Sequence, residues 1–126
     1  MTETPALKIK IQLYCAREIA MGPGKADLLD AIREHGSISG AGRAMNMSYR
    51  RAWLLVDVMN RCWREPLVET VPGSSRGGGA RVTPFGETVL GHYRAMQRQL
   101  SGLSAGSDYR ALSLAMLPEP KASQKA

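Results

Sequence analysis

The chain has 126 residues and a mass of 13.7 kDa, which favours one domain with a single hydrophobic core over two full domains. Apolar residues make up 44% and charged residues 22% of the sequence, a balance that excludes wholesale disorder. The net charge of +6 indicates either a polyanionic partner or an incidental basic excess, because net charge concerns solubility and partners rather than fold.

The N-terminal part predicts a β-hairpin followed by a helix. Apolar and polar residues alternate over 7–14, which is typical of a half-buried strand, and residues 18–21 predict a second strand. The Gly-Pro-Gly run at 22–24 ends the extended segment. Apolar residues then recur at helical spacing over 25–35, and Gly36 is the predicted stop.

The next segment predicts two helices joined by a short turn. Ser37 is a suitable cap for a helix over 38–45, and Asn46 suits the turn because asparagine tolerates the left-handed conformation. Ser48 is then the predicted cap of a second helix over 49–63. One sector of that helix is apolar, comprising Ala52, Leu55, Val56, Met59, Cys62 and Trp63. The opposite side carries Arg50, Leu54, Asp57 and Arg61.

A hairpin and a long helix complete the predicted domain. Strands are expected over 67–71 and 80–82, around a glycine-rich, basic loop. Thr83 and Pro84 predict the start of a helix. Its apolar stripe comprises Phe85, Val89, Tyr93, Met96 and Leu100. We assign residues 1–102 to one domain and 103–126 to a flexible tail, with a short appended helix as the alternative.

This order of elements predicts an α+β, mainly helical fold: a winged helix-turn-helix with an N-terminal β-hairpin and a long helix after the wing. In such a fold the start of the second helix enters the DNA major groove. Arg50 would then reach guanine edges, while Ser48 and the first backbone N–H groups hold a phosphate. Tyr49 and Arg51 are expected on the DNA backbone or a flanking base, and Trp53 is expected to pack.

The glycine-rich loop is the candidate wing. Gly77, Gly78 and Gly79 would let the backbone approach phosphates closely, with Arg76 and Arg81 beside the tip. A solvated turn is the alternative. The stretch from Arg43 to Arg81 holds seven arginines and three acidic residues, so positive charge is concentrated around both predicted DNA-contacting elements, and Arg43 belongs to the candidate site.

Six ordered motifs between Gly22 and Arg94 carry a family resemblance. They are GPGKADLLDAI (22–32), GSIS (36–39), MSYRRAW (47–53), MN (59–60), PLVE (66–69) and GGGARVTPFG (77–86). This stretch resembles the N-terminal DNA-binding domain of ModE-type molybdate-responsive transcriptional regulators. The resemblance implies a winged-helix dimer on a palindromic operator, acting mostly as a repressor, and it departs from the family pattern at Asn46, where glycine is usual.

The resemblance also raises the question of a ligand. Members of that family carry small oxyanion-binding β-barrel domains after the DNA-binding domain, and the residues that follow Leu100 are too few for a fold of ~65 residues. We therefore predict no cofactor; molybdate is implied by the resemblance alone. No metal site is predicted, because the methionines occur mainly at core-facing helical positions.

Other function classes find little support. His35 lies on an apolar helix face and His92 on a solvated one, and no HExxH or Walker motif occurs, so an enzyme is not expected.

Cys15 and Cys62 are far apart and form no CxxC pair, and no signal peptide or membrane span is evident, which favours a reduced, cytoplasmic protein. The remaining alternatives are a winged-helix protein-interaction module and an effector-independent DNA-binding accessory protein.

Overall fold

A computed structural model describes residues 7–72 and 79–125 and confirms the predicted α+β, mainly helical order. The strands pair as two separate antiparallel hairpins, β1 with β2 and β3 with β4. The elements are β1 (Leu13–Cys15), β2 (Glu18–Met21), α1 (Pro23–His35), α2 (Ile38–Ala44), α3 (Tyr49–Cys62), β3 (Val68–Val71), β4 (Gly79–Val82), α4 (Pro84–Ser101), a 3₁₀ turn (Gly102–Ala105) and α5 (Ser107–Ala115). Within these described ranges, no helix is both long and apolar enough to cross a membrane.

The predicted helix boundaries follow from local hydrogen bonding. Gly36 ends α1 in the left-handed conformation, with φ of 72°, and its N–H donates to Ile32 over 2.8 Å. The Ser37 hydroxyl accepts from the Gly40 N–H over 3.0 Å at the start of α2. Thr83 caps α4 in the same way, accepting from Gly86 over 2.9 Å.

One hydrophobic core joins the helices to both hairpins. Its largest fully buried side chains are Tyr93, Met21, Leu28, Leu29, Ile32, Met59, Leu67 and Val56. The Tyr93 hydroxyl donates to the Ile11 carbonyl over 2.9 Å, so α4 also holds the N-terminal segment in place. Helix α3 packs against α1, α2 and β2, and these contacts fix its position.

The N-terminal strand is shorter than predicted. Only Leu13–Cys15 pairs with β2, and residues 7–12 belong to no strand. The length of the neighbouring strand limits β1, because β2 has only four residues and the register of the pairing already shifts between Leu13 and Tyr14. Alternation in the sequence predicted a strand over 7–14, but it did not show how many of these residues would find a neighbouring strand.

The structure also describes His35, the apolar stripe of α4 and the C-terminal tail. His35 is exposed at the end of α1, and Met96 of the predicted apolar stripe is 38% exposed. The tail contains α5, the short helix given as the alternative, none of whose residues is buried. The domain boundary at residue 102 stays a prediction.

The two cysteines are neighbours in space, which their spacing in the sequence did not predict. Cys15 ends β1, and Cys62 ends α3; both thiols are free. Burial raises the pKa of the Cys62 thiol above its ordinary value, and a hydrogen bond with the Cys15 thiol raises that pKa further. The contact helps to seat the N-terminal hairpin against the end of α3.

Asn60 connects α3 to the second hairpin. Its side-chain oxygen accepts from the backbone N–H groups of Leu67 over 2.9 Å and Val68 over 3.1 Å. Its amide nitrogen donates to the Val68 carbonyl over 3.0 Å. These three bonds fix where β3 begins relative to the end of α3.

We expect Asn60→Ala to lower the free energy of unfolding by about 2 to 4 kcal/mol, because two backbone N–H groups lose their acceptor in a partly buried turn. Urea denaturation followed by circular dichroism measures the change. Asn60→Asp keeps the accepting oxygen and should cost less. A loss below about 0.5 kcal/mol for the alanine variant would contradict this role for Asn60.

Candidate nucleic-acid interface

A tight turn holds α2 against α3. Asn46 adopts the predicted left-handed conformation, with φ of 57°, and the Met47 N–H donates to the Gly42 carbonyl over 2.9 Å. A side chain at Gly42 would place its Cβ 3.2 Å from the Cβ of Ala52, so the glycine permits the close approach of the two helices. The turn residues therefore determine the direction in which α3 leaves α2.

The start of α3 is capped and exposed. The Ser48 hydroxyl accepts from the Arg51 N–H over 3.1 Å, as predicted. The first N–H groups of an α-helix lack acceptors inside the helix, and Tyr49 and Arg50, which carry two of them, are exposed. The predicted site residues Ser48, Tyr49, Arg50 and Arg51 thus lie together at one accessible helix end.

The outer face of α3 carries the residues that the helical periodicity assigned to it. Arg50, Leu54, Asp57 and Arg61 are all exposed, while Ala52, Val56 and Met59 on the inner side are buried. The Asp57 carboxylate accepts from Arg61 Nε over 2.9 Å. This hydrogen bond raises the pKa of Arg61 above its ordinary value and occupies the one acidic side chain of α3.

Two aromatic side chains flank the helix start. Tyr49 is 58% exposed, and its ring centroid lies 6.1 Å from that of Trp53 at an interplanar angle of 59°. Trp53 is half-buried and packs against the core, as expected. An open cleft of about 520 Å³ follows this side of the helix; it is lined by Tyr49, Arg50, Trp53, Leu54 and Asp57.

The first strand of the second hairpin runs beside α3. A second cleft of about 300 Å³ is lined by Trp53 and Asn60 from α3 and by Val68, Glu69 and Thr70 from β3. Trp53 therefore borders both clefts. The helix and the hairpin form adjoining parts of one surface.

Arg81 lies on β4 directly opposite Glu69 of β3, and the two side chains form an ion pair with an N–O distance of 2.5 Å. Its side chain is nevertheless 69% exposed. Contact with a nucleic-acid backbone would have to compete with Glu69 for this guanidinium. The sequence alone did not reveal that competition, since the two residues are paired only once the hairpin register is known.

Gly79 begins β4 and packs against the end of α1. A Cβ there would lie 3.4 Å from the Gly36 carbonyl oxygen, and the next residue, Ala80, donates its N–H to that same oxygen over 2.9 Å. The base of the hairpin is thus joined to the junction of α1 and α2. The other predicted wing residues, Arg76, Gly77 and Gly78, lie outside the described residues.

Positive charge surrounds the turn between α2 and α3. Arg43 in the last turn of α2 is exposed, like Arg50 and Arg51. None of these three takes part in the ion pairs seen over 7–72 and 79–125. The region is suited to a ligand with closely spaced negative charges.

These features define the chain as a winged helix-turn-helix protein. It is homologous to the ModE and MopA molybdenum-related regulators over most of its own length. It is 36% identical to the molybdenum-pterin-binding protein MopA of Rhodobacter capsulatus over 80% of this chain and 38% of the relative. It is 32% identical to the DNA-binding transcriptional dual regulator ModE of Escherichia coli K12, over 85% of this chain and 41% of the relative.

Solved structures agree on the fold. The full-length LysR-type regulator LysG of Corynebacterium glutamicum with bound arginine effector matches with a TM-score of 0.51 and 26% identity, over 78% of this chain and 31% of that chain. The CbnR DNA-binding domain in complex with DNA matches with a TM-score of 0.52 and 20% identity, over 74% of this chain and 97% of that chain. No protein-family model matches. The chain spans only about two fifths of the length of curated relatives such as MopA and ModE.

Proposed function

We propose that this chain is a transcriptional regulator that binds double-stranded DNA in a sequence-specific manner. The observation that carries the proposal is the capped, arginine-bearing start of α3, held outward by the turn at Asn46 and bordered by β3. A major groove about 12 Å wide admits a helix in this orientation. The homology to regulators named for transcription and molybdenum transport supports the same assignment.

In this proposal each part of the surface has a separate task. Arg50 donates two hydrogen bonds to the O6 and N7 atoms of a guanine, a geometry for which the forked guanidinium is suited. Ser48, Arg51 and Arg43 contact phosphates beside the groove, and Tyr49 contacts the backbone or a flanking base. The wing residues Arg76, Gly77, Gly78, Gly79 and Arg81 contact the neighbouring backbone or minor groove.

We further propose a homodimer on a palindromic operator, with half-sites about 34–36 Å apart. Apolar side chains support a contact between copies, because Leu103, Leu112 and Leu114 are between 56% and 82% exposed along the C-terminal helices. A dimer at a promoter acts as a repressor by occupying the site, and such a role places the protein in the cytoplasm. No catalytic activity belongs to the proposal.

Selection of bound fragments from genomic DNA, with and without molybdate, tests the function directly. We expect a recurring inverted repeat among the bound fragments. Affinity for it should fall by about 10³ to 10⁵ between 50 and 200 mM salt, if ~6 to 10 phosphates are contacted. Equal affinity at both salt concentrations, or no enriched sequence, would refute DNA recognition and favour a protein-interaction module. Sedimentation at tens of micromolar tests the dimer.

A further inference from the structure

The solvent-exposed outer face of α3 carries an apolar side chain, Leu54, at a position where a polar side chain would be expected. Leu54 is 54% exposed and lies between Arg50 and Asp57 on the face directed away from the core. Tyr49, 58% exposed, and half-buried Trp53 stand beside it and line the same cleft of about 520 Å³. The cleft therefore combines an apolar floor with a cationic rim at Arg50.

We propose that this cleft is a specificity site in which Leu54, flanked by the Tyr49 ring, receives the 5-methyl group of a thymine. The inference rests on the proposed DNA-binding function and adds a base preference to it. The thymine methyl is the one apolar group that base pairs present in the major groove. An exposed leucine beside Arg50 fits that group, because Arg50 contacts a neighbouring guanine edge in the same groove while Arg51 and Arg43 contact phosphates beside it.

The spacing along the helix locates the thymine. Arg50 and Leu54 are one turn apart, about 6 Å along the helix axis. Since successive base pairs are about 3.4 Å apart, the thymine lies one or two base pairs from the guanine contacted by Arg50.

The neighbouring acidic residue does not offer an alternative specificity. A free carboxylate at Asp57 would favour the amino group of cytosine. However, Asp57 accepts from Arg61 over 2.9 Å, so its charge is already compensated within the helix. The apolar contact at Leu54 is the discriminating feature that remains in the cleft.

Single thymine-to-deoxyuridine replacements test the proposal, because deoxyuridine keeps base pairing and removes only the methyl group. The substrate is the fragment obtained by selection, and affinity is measured at one salt concentration with the full chain. At one position in each half-site, within two base pairs of the guanine that depends on Arg50, we expect the replacement to weaken binding about three- to tenfold. Other positions should respond less.

The second part of the experiment tests the protein side of the contact with the variant Leu54→Ala. This variant should bind the thymine fragment about three- to tenfold more weakly and should no longer distinguish thymine from deoxyuridine at the sensitive position. Leu117→Ala is the matched control; it replaces another leucine that is 54% exposed, beyond the end of α5, and should retain the full discrimination. Circular dichroism verifies that both variants fold.

The possible outcomes distinguish failure of the thymine contact at Leu54 from failure of DNA recognition as a whole. If the natural chain binds a specific sequence but no thymine-to-deoxyuridine replacement weakens binding, the cleft proposal is overturned and DNA recognition is left intact. Discrimination that persists in Leu54→Ala would likewise assign the methyl contact to another residue and overturn the role of Leu54. Absence of any sequence preference in the natural chain would overturn both.

Discussion

Gly86→Ala is expected to lower the free energy of unfolding by about 3 kcal/mol, at the upper end of the range for overpacked cores. An alanine Cβ would lie 2.3 Å from the Leu67 carbonyl oxygen and 2.8 Å from Val82 Cγ1. The Leu67 carbonyl also accepts from the Thr83 N–H over 2.9 Å, so a shift of this backbone atom breaks another hydrogen bond. Chemical denaturation followed by circular dichroism measures the loss.

Gly91→Ala in the same helix is the matched control. A Cβ at Gly91 meets no atom within 4 Å, so only helix propensity changes, and we expect a gain of up to about 1 kcal/mol. If Gly86→Ala destabilises the protein and Gly91→Ala stabilises it, packing against Leu67 must cause the destabilisation, because both variants add the same methyl group to α4. If both variants had stabilities within about 0.5 kcal/mol of the natural chain, the close contact between Gly86 of α4 and the Leu67 backbone would be refuted.

Arg50→Ala is expected to reduce affinity for the selected operator by about 1 to 3 kcal/mol and to relax the preference at one base position. The reason is the loss of two hydrogen bonds to a guanine edge. Titration against operators with each substitution at every position measures both effects. Arg50→Lys should recover charge but not the paired hydrogen bonds, so preference at that position should stay weakened.

Two other arginines serve as comparisons. Arg76→Ala should weaken binding to all sequences alike and reduce the salt slope by about one, as expected of a phosphate contact. Arg98→Ala, in the last turn of α4 and about 20 Å along that helix from its start, should change neither property. A uniform loss in Arg50→Ala, with preference unchanged, would mean that Arg50 contacts the backbone and not a base.

Local chemistry made much of the fold predictable. The caps at Ser37, Ser48 and Thr83 and the left-handed Asn46 depend on neighbours within a few residues, and all four have the predicted geometry. The inner and outer faces of α3 follow from helical periodicity alone. For the same reason, the accessible position of Arg50 could be predicted without knowledge of the tertiary structure.

Interactions between distant residues could not be predicted in this way. Arg94 of α4 forms ion pairs with Asp27 over 2.8 Å and Asp30 over 2.6 Å on α1. Nothing in the sequence pairs a particular arginine with carboxylates more than sixty positions away. The same holds for the contact between Cys15 and Cys62, and for the pairing of Glu69 with Arg81, which requires the strand register.

The bond from the Ala80 N–H to the Gly36 carbonyl joins the hairpin to the helix pair through main-chain atoms alone. Main-chain donors and acceptors are the same whichever side chains these positions carry. This attachment of the hairpin to the junction of α1 and α2 therefore does not depend on the residues that α3 exposes. Under the proposed DNA-binding function, an exchange of exposed side chains on α3 would change the base preference without altering this attachment of the hairpin.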